Sequence, residues 1–227
     1  LVAGGLEGGR WRIFYDVNNQ SALFGAFDPD ALEYLQSLSV AGGHLRRNCR
    51  NTRDIVIQTK LVTHADLGNP SAGHGPPVEW AFFNDEETER RLLEQHLRGL
   101  ADEDVPPGEV TILSPLRFEE SCVSRLRPKW RSRIRVLDPE SAADWPLRET
   151  TFASIPDFKG LENQFIVLVD VASLAATARE RSLLYIAMTR ARAGLWIALP
   201  EQLREDLATL QRDQLAAVIE ETQLATS

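Results

Sequence analysis

The clearest pattern in the chain is a pair of short apolar runs separated by a segment of helical length. The runs are Phe165–Asp170 and Gly194–Leu199, and the segment between them ends with Leu183–Arg192. Buried parallel strands have nearly continuous apolar sequences, and a crossover helix usually joins two of them. The pattern therefore predicts a strand, a helix and a second strand of one parallel sheet.

Further segments of both kinds precede and follow this unit. Periodicity predicts strands at residues 11–16, 43–46, 78–83, 109–114 and 133–137, and helices at 28–38, 53–62, 85–101, 118–127 and 200–222. Residues 64–77 are rich in glycine and proline, which predicts a loop. Strands that alternate with helices indicate an α/β fold, a mostly parallel sheet with helices on both faces.

The charges of the chain are unevenly distributed. Its 227 residues carry a formal net charge of -8, which excludes a surface that is basic throughout. One segment is nevertheless strongly basic, and we call its seven cations the basic strip: Arg117, Arg125, Arg127, Lys129, Arg131, Arg133 and Arg135. Such a strip suits contact with the phosphate backbone of one polynucleotide, and a solvated face is the alternative interpretation.

Cysteine spacing and hydropathy indicate which kinds of site and which cellular location to expect. Cys49 and Cys122 have no metal-binding or redox spacing, so we expect two buried thiols. No apolar run approaches the length of a membrane span and no signal peptide is visible, so we expect no membrane partner and a cytoplasmic location. Because Met188 is the only methionine, we also expect the chain to be a piece of a longer polypeptide.

The predicted helix before the last strand ends in Thr189–Arg192, which contains two arginines. A guanidinium group stays charged and its planar fork matches phosphate oxygens in pairs, so an arginine here could reach a phosphate across a cleft. The alternative is a solvated last turn that the helix dipole favours. This segment alone leaves both interpretations open.

Two motifs around this unit resemble those of the superfamily 1 DNA helicases of the UvrD/Rep/PcrA type. Lys159–Glu162 looks like their motif V, and Leu184–Ala191 looks like their motif VI, where eight consecutive positions fit. Asn48–Thr52 is similar to motif IV and Asp16–Ser21 to motif III. The resemblance implies the second RecA-like domain, a three-layer α/β/α fold of the P-loop NTPase type. Each motif segment lies at the end of a predicted strand or in the loop after it, so we expect all four to line one rim of the sheet.

The resemblance implies roles for residues that would contact ATP. Arg190 and Arg50 fall on positions whose guanidinium groups contact the terminal phosphate, and Gln20 on the position that senses it. Glu162 would accept a hydrogen bond from the ribose. Cys49 stands where the family has a tyrosine that stacks on adenine, so this stacking contact is not expected.

Other motif residues would complete the nucleotide site and contact DNA. Asp16 opens the motif III segment, and Gly160 provides a tight backbone turn before Glu162. Ser154 falls where the family has a serine or threonine that touches a DNA phosphate, and Lys159 follows in the same segment. Two residues of the basic strip, Arg127 and Lys129, are further candidates for nucleic-acid contact.

Two motifs that an ATP site needs are absent from the sequence. The chain contains no Gly-x-x-x-x-Gly-Lys-Ser/Thr phosphate loop, and no Asp-Glu pair follows an early strand as a magnesium site requires. We therefore expect an upstream RecA-like domain to hold ATP and Mg²⁺. The predicted divisions are 1–40 for the end of that first domain, 41–200 for the second domain, and 201–227 for a C-terminal amphipathic helix. Any inserted subdomain between residue 115 and motif V would be absent or vestigial.

The resemblance implies the C-terminal motor domain of an ATP-dependent DNA helicase or translocase, with single-stranded DNA and the upstream domain as partners. We expect this chain alone to be inactive, because it lacks the phosphate loop. Two alternatives are an inactive helicase-like binding module, suggested by Tyr15, Cys49 and Pro156 at motif positions, and an RNA-directed superfamily 1 helicase.

Overall fold

A six-stranded, fully parallel sheet forms the centre of the chain. The computed structural model describes residues 3–14, 28–38, 43, 45–174 and 176–213. The sheet strands are β3 (Glu79–Phe83), β4 (Val110–Ser114), β5 (Ile134–Val136), β6 (Thr150–Ser154), β7 (Asn163–Leu168) and β8 (Ala191–Pro200). Their spatial order is β3-β8-β7-β4-β6-β5, and every neighbouring pair is parallel. Two-residue strands β1 (Arg47–Asn48) and β2 (Asn69–Pro70) pair separately.

Helices connect the strands and cover the sheet. They are α1 (Gly5–Gly8), α2 (Pro29–Ser37), α3 (Arg53–Thr63), α4 (Glu86–Asp102), α5 (Pro128–Arg131), α6 (Pro139–Ala143), α7 (Ala178–Thr189) and α8 (residues 204–213). Single 3-10 turns lie at Pro107–Glu109, Cys122–Arg125 and Glu201–Leu203. Side chains cap several helices where the sequence predicted a start; for example, Asp28 accepts the N–H groups of Asp30 and Ala31.

The sheet has a separate apolar core on each face. Along β7, Ile166 and Leu168 pack into one core, while Val167 belongs to the other. Helices α3 and α7 cover the first face, and α4 covers the second. Because side chains alternate along a strand, a strand buried on both faces must be apolar at every position, as β4 and β7 largely are. The predicted three-layer α/β/α fold is confirmed.

Several predicted elements differ from the structure. The predicted helix 118–127 is instead a 3-10 turn, because Pro128 favours an extended conformation for Arg127, whose φ and ψ are -55° and 145°. Residues 11–14 form no strand, and Phe14 is 77% exposed. The strand predicted at 43–46 begins at Arg47 instead. The predicted C-terminal helix is described only as far as residue 213.

The cysteine prediction is half correct. Cys122 is buried, whereas Cys49 is exposed and its sulfur lies 3.2 Å from Ser71 Oγ. The reason is that Cys49 stands in the turn between β1 and α3, which lies at the surface. The Cys49 thiol therefore faces solvent at the edge described next.

Candidate nucleotide site at the amino edge of the sheet

The ends of β7 and β8 bring the motif V and motif VI segments together. Asn163, the first residue of β7, pairs with Ala191, the first residue of β8. Arg190, the C-cap of α7, accepts the Asn163 N–H on its backbone oxygen at 3.1 Å. Glu162 and the two arginines of the 190–192 segment therefore meet at the amino-terminal edge of the sheet.

Arg190 is buried at this junction, with 7% of its surface exposed. Its Nε donates to the oxygen of Ile186 at 3.1 Å, and one terminal nitrogen donates to the oxygen of Leu161 at 3.3 Å. The other terminal nitrogen donates to Thr189 Oγ1 at 3.4 Å. The guanidinium group thus links the last turn of α7 to the segment that carries Glu162.

Glu162 lies between two exposed arginines. Arg50 Nε is 2.9 Å from Glu162 Oε2, and Arg192 Nε is 3.7 Å from Glu162 Oε1. Half of each arginine side chain is exposed, as is 37% of the glutamate side chain. The edge thus presents two guanidinium groups that share one carboxylate, an arrangement that leaves positive charge for an anion.

An asparagine network holds Arg50 in this position. Asn48 Oδ1 accepts the N–H groups of Arg50 and Asn51, both at 3.0 Å. Asn51 Nδ2 donates to the oxygens of Thr189 and Ala191, at 3.0 and 2.6 Å. The motif IV turn is therefore attached directly to the junction between α7 and β8.

The sequence prediction gave no role to either asparagine, although both lie in the motif IV segment. Asn48 could have been found, because an asparagine that accepts N–H groups two and three residues later is a common turn. The partners of Asn51 lie 138 and 140 residues away along the chain, and no local pattern reveals them.

Gly160 shapes the turn before Glu162. Its φ is 88°, in the left-handed region, and a Cβ atom there would meet nothing within 4 Å. The requirement for glycine is therefore one of backbone conformation and not of space. The turn returns the chain from the carboxyl end of β6 to the amino end of β7.

Ser154 lies at the opposite edge of the sheet. It is the last residue of β6, pairs in register with Ser114, and its Oγ donates to Asp157 Oδ2 at 2.5 Å. The sequence prediction placed all the motif segments on one rim, which is wrong for this residue. In a parallel sheet, a segment that follows β6 and a segment that precedes β7 are at opposite edges. Lys159 lies in the connection between them, and its side chain is exposed.

All seven cations of the basic strip are exposed, but their surroundings differ. Arg125 and Arg127 form ion pairs with Glu86 and Glu94. Burial raises the pKa of Glu94, but hydrogen bonds from Arg127 outweigh it and keep that pKa below its ordinary value. Lys129 lies 5.5 Å from the centre of the Trp130 ring, a cation–π contact.

Within the described part of the chain, the other arginines of the strip form no such ion pair, although the hydrogen bonds from Ser141, and after them the charge of Arg135, lower the pKa of Asp138. Among the described residues, no carboxylate forms an ion pair with Arg117, Arg131 or Arg133. These three, with Lys129, are therefore the part of the strip that is most available to an external anion. Asp16 and Gln20, the motif III candidates, lie outside the described residues.

A second cluster, at the carboxyl edge, contains Glu89, Cys122 and Asp170, whose potential ligand atoms lie within 4.8 Å of one another. Asp170 donates its N–H to Glu89 Oε1 at 2.7 Å and accepts the Ser114 hydroxyl at 2.6 Å and the Cys122 N–H at 3.0 Å. Burial raises the pKa of Glu89 to about 7 and also raises the pKa of the Cys122 thiol. The polar groups of this cluster form hydrogen bonds with one another, so we interpret the cluster as a link between α4, β4 and β7.

The fold and the site define a class: a RecA-like α/β domain with arginines at one sheet edge. Residues 151–198 match the family model for the UvrD-like helicase C-terminal domain. The matched segment contains the motif V and motif VI segments, and the predicted resemblance to UvrD-type superfamily 1 helicases is confirmed.

A solved structure described as part of a possible DNA helicase has a similar fold. The C-terminal domain of a possible DNA helicase from Lactobacillus plantarum WCFS1 has a TM-score of 0.51 and 16% identity, covering 66% of this chain and 86% of that chain. The arterivirus nonstructural protein 10 helicase has a TM-score of 0.38 and 13% identity, covering 82% of this chain and 32% of that chain. The comparison with curated proteins gave no match. Within the described part of the chain, no helix is long and apolar enough to cross a membrane.

Proposed function

We propose that this chain is the second motor domain of an ATP-dependent DNA helicase or translocase. One observation carries the proposal: Arg50, Glu162 and the 190–192 segment come from three parts of the sequence and meet at one sheet edge. ATP would be bound at this edge, with its phosphates and Mg²⁺ held mainly by an upstream P-loop domain. Arginines brought across such an interface stabilise the charge that develops in phosphoryl transfer.

The residues of this chain would act on opposite ends of the nucleotide. Arg50 and the arginines of the 190–192 segment, Arg190 among them, would face the terminal phosphate, and the Glu162 carboxylate would accept a hydrogen bond from a ribose hydroxyl. Gly160 would permit the turn that presents Glu162. Exposed ion pairs contribute only about 0–1 kcal/mol, so Arg50 can exchange its carboxylate partner for a phosphate at little cost.

Single-stranded DNA would bind away from the nucleotide. The proposed contacts are Ser154 at the carboxyl edge, Lys159 in the crossing turn, and the basic strip. Within the strip they include Arg127, Lys129, Arg131 and Arg133. The segment 155–162 directly joins the edge of Ser154 to the edge of Glu162, so a change at one edge has a short covalent path to the other. The two domains would close on ATP and reopen after hydrolysis, and this motion would thereby change the contacts with the DNA strand.

The test is ATP hydrolysis by the full-length protein that contains this chain, with and without single-stranded DNA. We expect DNA to stimulate turnover, and Arg50→Ala to lower kcat by about 100-fold or more, the scale of an arginine that stabilises phosphoryl transfer. Arg98→Ala removes an exposed arginine of α4 as the matched control and should leave kcat unchanged.

The same experiment separates the alternatives. An absence of turnover with either nucleic acid would contradict the motor function and favour an inactive binding module. Stimulation by single-stranded RNA but not by DNA would instead identify an RNA-directed enzyme. Wild-type turnover in Arg50→Ala would show that this edge does not contact the reacting phosphate.

A further inference from the structure

Asn163, the residue directly after Glu162, has a buried side chain that is bonded to the neighbouring strand β4. Asn163 is 7% exposed, and its Nδ2 donates to the oxygen of Gly108 at 3.0 Å and to Oγ1 of Thr111 at 2.9 Å. Its Oδ1 accepts the Gln164 N–H at 2.9 Å. Both donors and the acceptor of the amide are thus used, and the side chain has one fixed orientation.

The backbone ladder alone does not hold this end of β7. Pairing with β4 begins only at Phe165, which lies opposite Val110. On the other side, Asn163 pairs with Ala191 and Phe165 with Gly194, so β8 has one extra residue between the two pairs. Such a β-bulge disrupts the ladder locally. The Asn163 side chain therefore supplies an attachment to β4 that the backbone lacks at this point.

Both acceptors belong to closely packed parts of the molecule. Thr111 lies within β4 and is fully buried. Gly108 lies in the 3-10 turn Pro107–Glu109, and a Cβ atom there would be only 2.2 Å from the oxygen of Leu147. An amide bonded to two such acceptors restricts its own backbone, and with it the direction in which the preceding residue, Glu162, leaves the sheet.

Glu162 depends on this attachment because the chain before it is not held by close packing. Gly160 is exposed, and no atom lies within 4 Å of the place where its Cβ would be. The Glu162 side chain is itself 37% exposed. A carboxylate that accepts a hydrogen bond from a bound ligand must be held in place, because misplacement by about 1 Å is costly.

We propose that Asn163 is a positioning residue that fixes Glu162 for the ribose, and so gives the site its preference for ribonucleotides over deoxyribonucleotides. Asn163 does not contact the nucleotide, because its side chain is buried and directed towards β4. This inference rests on the proposed function, in which Glu162 accepts a hydrogen bond from a ribose hydroxyl, and adds the residue that acts through Glu162.

The test measures KM and kcat of the full-length protein, with saturating single-stranded DNA, for ATP, 2′-deoxy-ATP and 3′-deoxy-ATP. The wild type should have a higher KM for the analogue that lacks the hydroxyl bonded to Glu162. We expect Asn163→Ala to raise the KM for ATP about 10-fold, the scale of one hydrogen bond to a charged group. The KM for that analogue and the kcat for ATP should stay within about twofold of wild type, because the lost contact is one of uniform binding.

The same change in a Glu162→Ala protein tests whether Asn163 acts through Glu162. Residues that act through one interaction are not additive. Asn163→Ala should therefore raise the KM for ATP no further once the carboxylate is absent.

Thr111→Val tests the attachment from the β4 side and remains informative if Asn163→Ala folds poorly. It removes one acceptor of the amide at nearly constant size, so we expect a smaller rise in the KM for ATP, about threefold. Thr151→Val is the matched control, because Thr151 is equally buried and pairs with Thr111, but its hydroxyl donates to the oxygen of Glu149. Both variants should lower the Tm, and Thr151→Val should leave the KM unchanged.

Three results would overturn the inference. They are an Asn163→Ala protein with the wild-type KM for ATP, an equal effect of Asn163→Ala with and without Glu162, and equal KM values for Thr111→Val and Thr151→Val. A wild type that does not discriminate against either deoxy analogue would also refute it. DNA-stimulated turnover of the wild type would leave the proposed motor function intact in each case, whereas a wild type without turnover would refute both.

Discussion

Asn51 shows how one side chain can join distant parts of this chain. It is 2% exposed, and its amide nitrogen donates to two backbone oxygens that flank Arg190. Those oxygens stand at the change from helix to strand, where the regular bonding of α7 has ended. An amide of this length satisfies both oxygens and fixes the turn that presents Arg50.

We predict that Asn51→Ala destabilises the protein by about 2–3 kcal/mol, because two bonds are lost and buried acceptors are left unsatisfied. Nucleotide affinity should fall as well, since the Arg50 turn loses its attachment. Urea unfolding would measure the stability, and titration with ATP the affinity. Asn84→Ala, at an exposed asparagine, is the control and should change neither. Equal stability of the two variants would contradict the role given to Asn51.

At this scale, the sequence predicts residue types better than residue environments. The motifs drew attention to Arg50, Glu162 and Arg190, and the structure brings these three together. Their assigned roles stay predictions. The burial of Arg190 depends on acceptors from Leu161 and Ile186, whose positions follow only from packing α7 beside β7. The motif does not contain that information.

Among the elements, α4 carries two titratable groups, the buried Glu89 and the largely buried His96, whose pKa shifts have opposite effects. Burial raises the pKa of Glu89 to about 7 from 4.5, and burial lowers the pKa of His96 to about 4 from 6.5. After burial, the nearby charge of Asp170 also raises the pKa of Glu89. His96 stacks on Trp196, and their ring centroids are 4.9 Å apart. His96 is therefore neutral near pH 7, as a packing residue.

These shifts predict opposite pH dependences. The folded state retains the Glu89 proton that the unfolded state loses, so stability from Glu89 is full below pH 4.5 and falls as the pH rises to about 7. For His96 the unfolded state binds the extra proton, so its contribution is lost as the pH falls from 6.5 to about 4. Between pH 4.5 and 6.5 the two effects largely cancel.

We predict that substitution of either group removes the pH dependence that this group contributes and leaves that of the other. Relative to wild type, Glu89→Gln should gain up to about 3 kcal/mol as the pH rises from 4.5 to 7. His96→Phe should gain by a similar amount as the pH falls from 6.5 to 4. Urea unfolding across this range measures both, with Glu87→Gln as an exposed control on the same helix. A difference between Glu89→Gln and wild type that is constant with pH would exclude a raised pKa.

The long elements could be predicted from periodicity, and the short ones could not. Helices α3 and α4 begin and end within one residue of the predicted bounds, because an apolar stripe and a polar cap agree on them. The helix predicted at 118–127 was wrong because the prediction followed helical spacing and neglected Pro128, which disfavours a helical conformation for the residue before it. Strand β1 has two residues and pairs with β2, a length at which no period can be recognised.

The molecule as a whole places its two proposed surfaces at different edges of one sheet. The sequence predicted a parallel sheet but not which end of each strand faces which surface. That depends on β6 (Thr150–Ser154), a strand that the periodicity did not predict. Because β6 ends at Ser154 and the parallel strand β7 begins just after Glu162, the two residues lie at opposite edges. The motifs could therefore indicate the residues of the site but not this separation.

Because the chain has a negative net charge, the proposed DNA binding depends on short-range contacts with a few cations. A chain with a net charge of -8 repels a polyanion at a distance, so binding must come from contacts within a Debye length of about 10 Å at 0.1 M salt. Lys129, Arg131 and Arg133 are exposed, and no ion pair within the described residues neutralises them. The affinity for single strands should therefore depend on few cations and strongly on salt.

We predict that Arg131→Ala/Arg133→Ala lowers the slope of log K against log salt for single-stranded DNA by about 1.4, since each phosphate contact contributes about 0.7. Fluorescence anisotropy of a labelled oligonucleotide at several salt concentrations, with the full-length protein, measures this slope. Arg125→Ala is the matched control, because Glu86 already pairs with that guanidinium group, and its slope should change by well under half as much. A double variant with the wild-type slope would show that the strip is a solvated face and that the strand is held elsewhere.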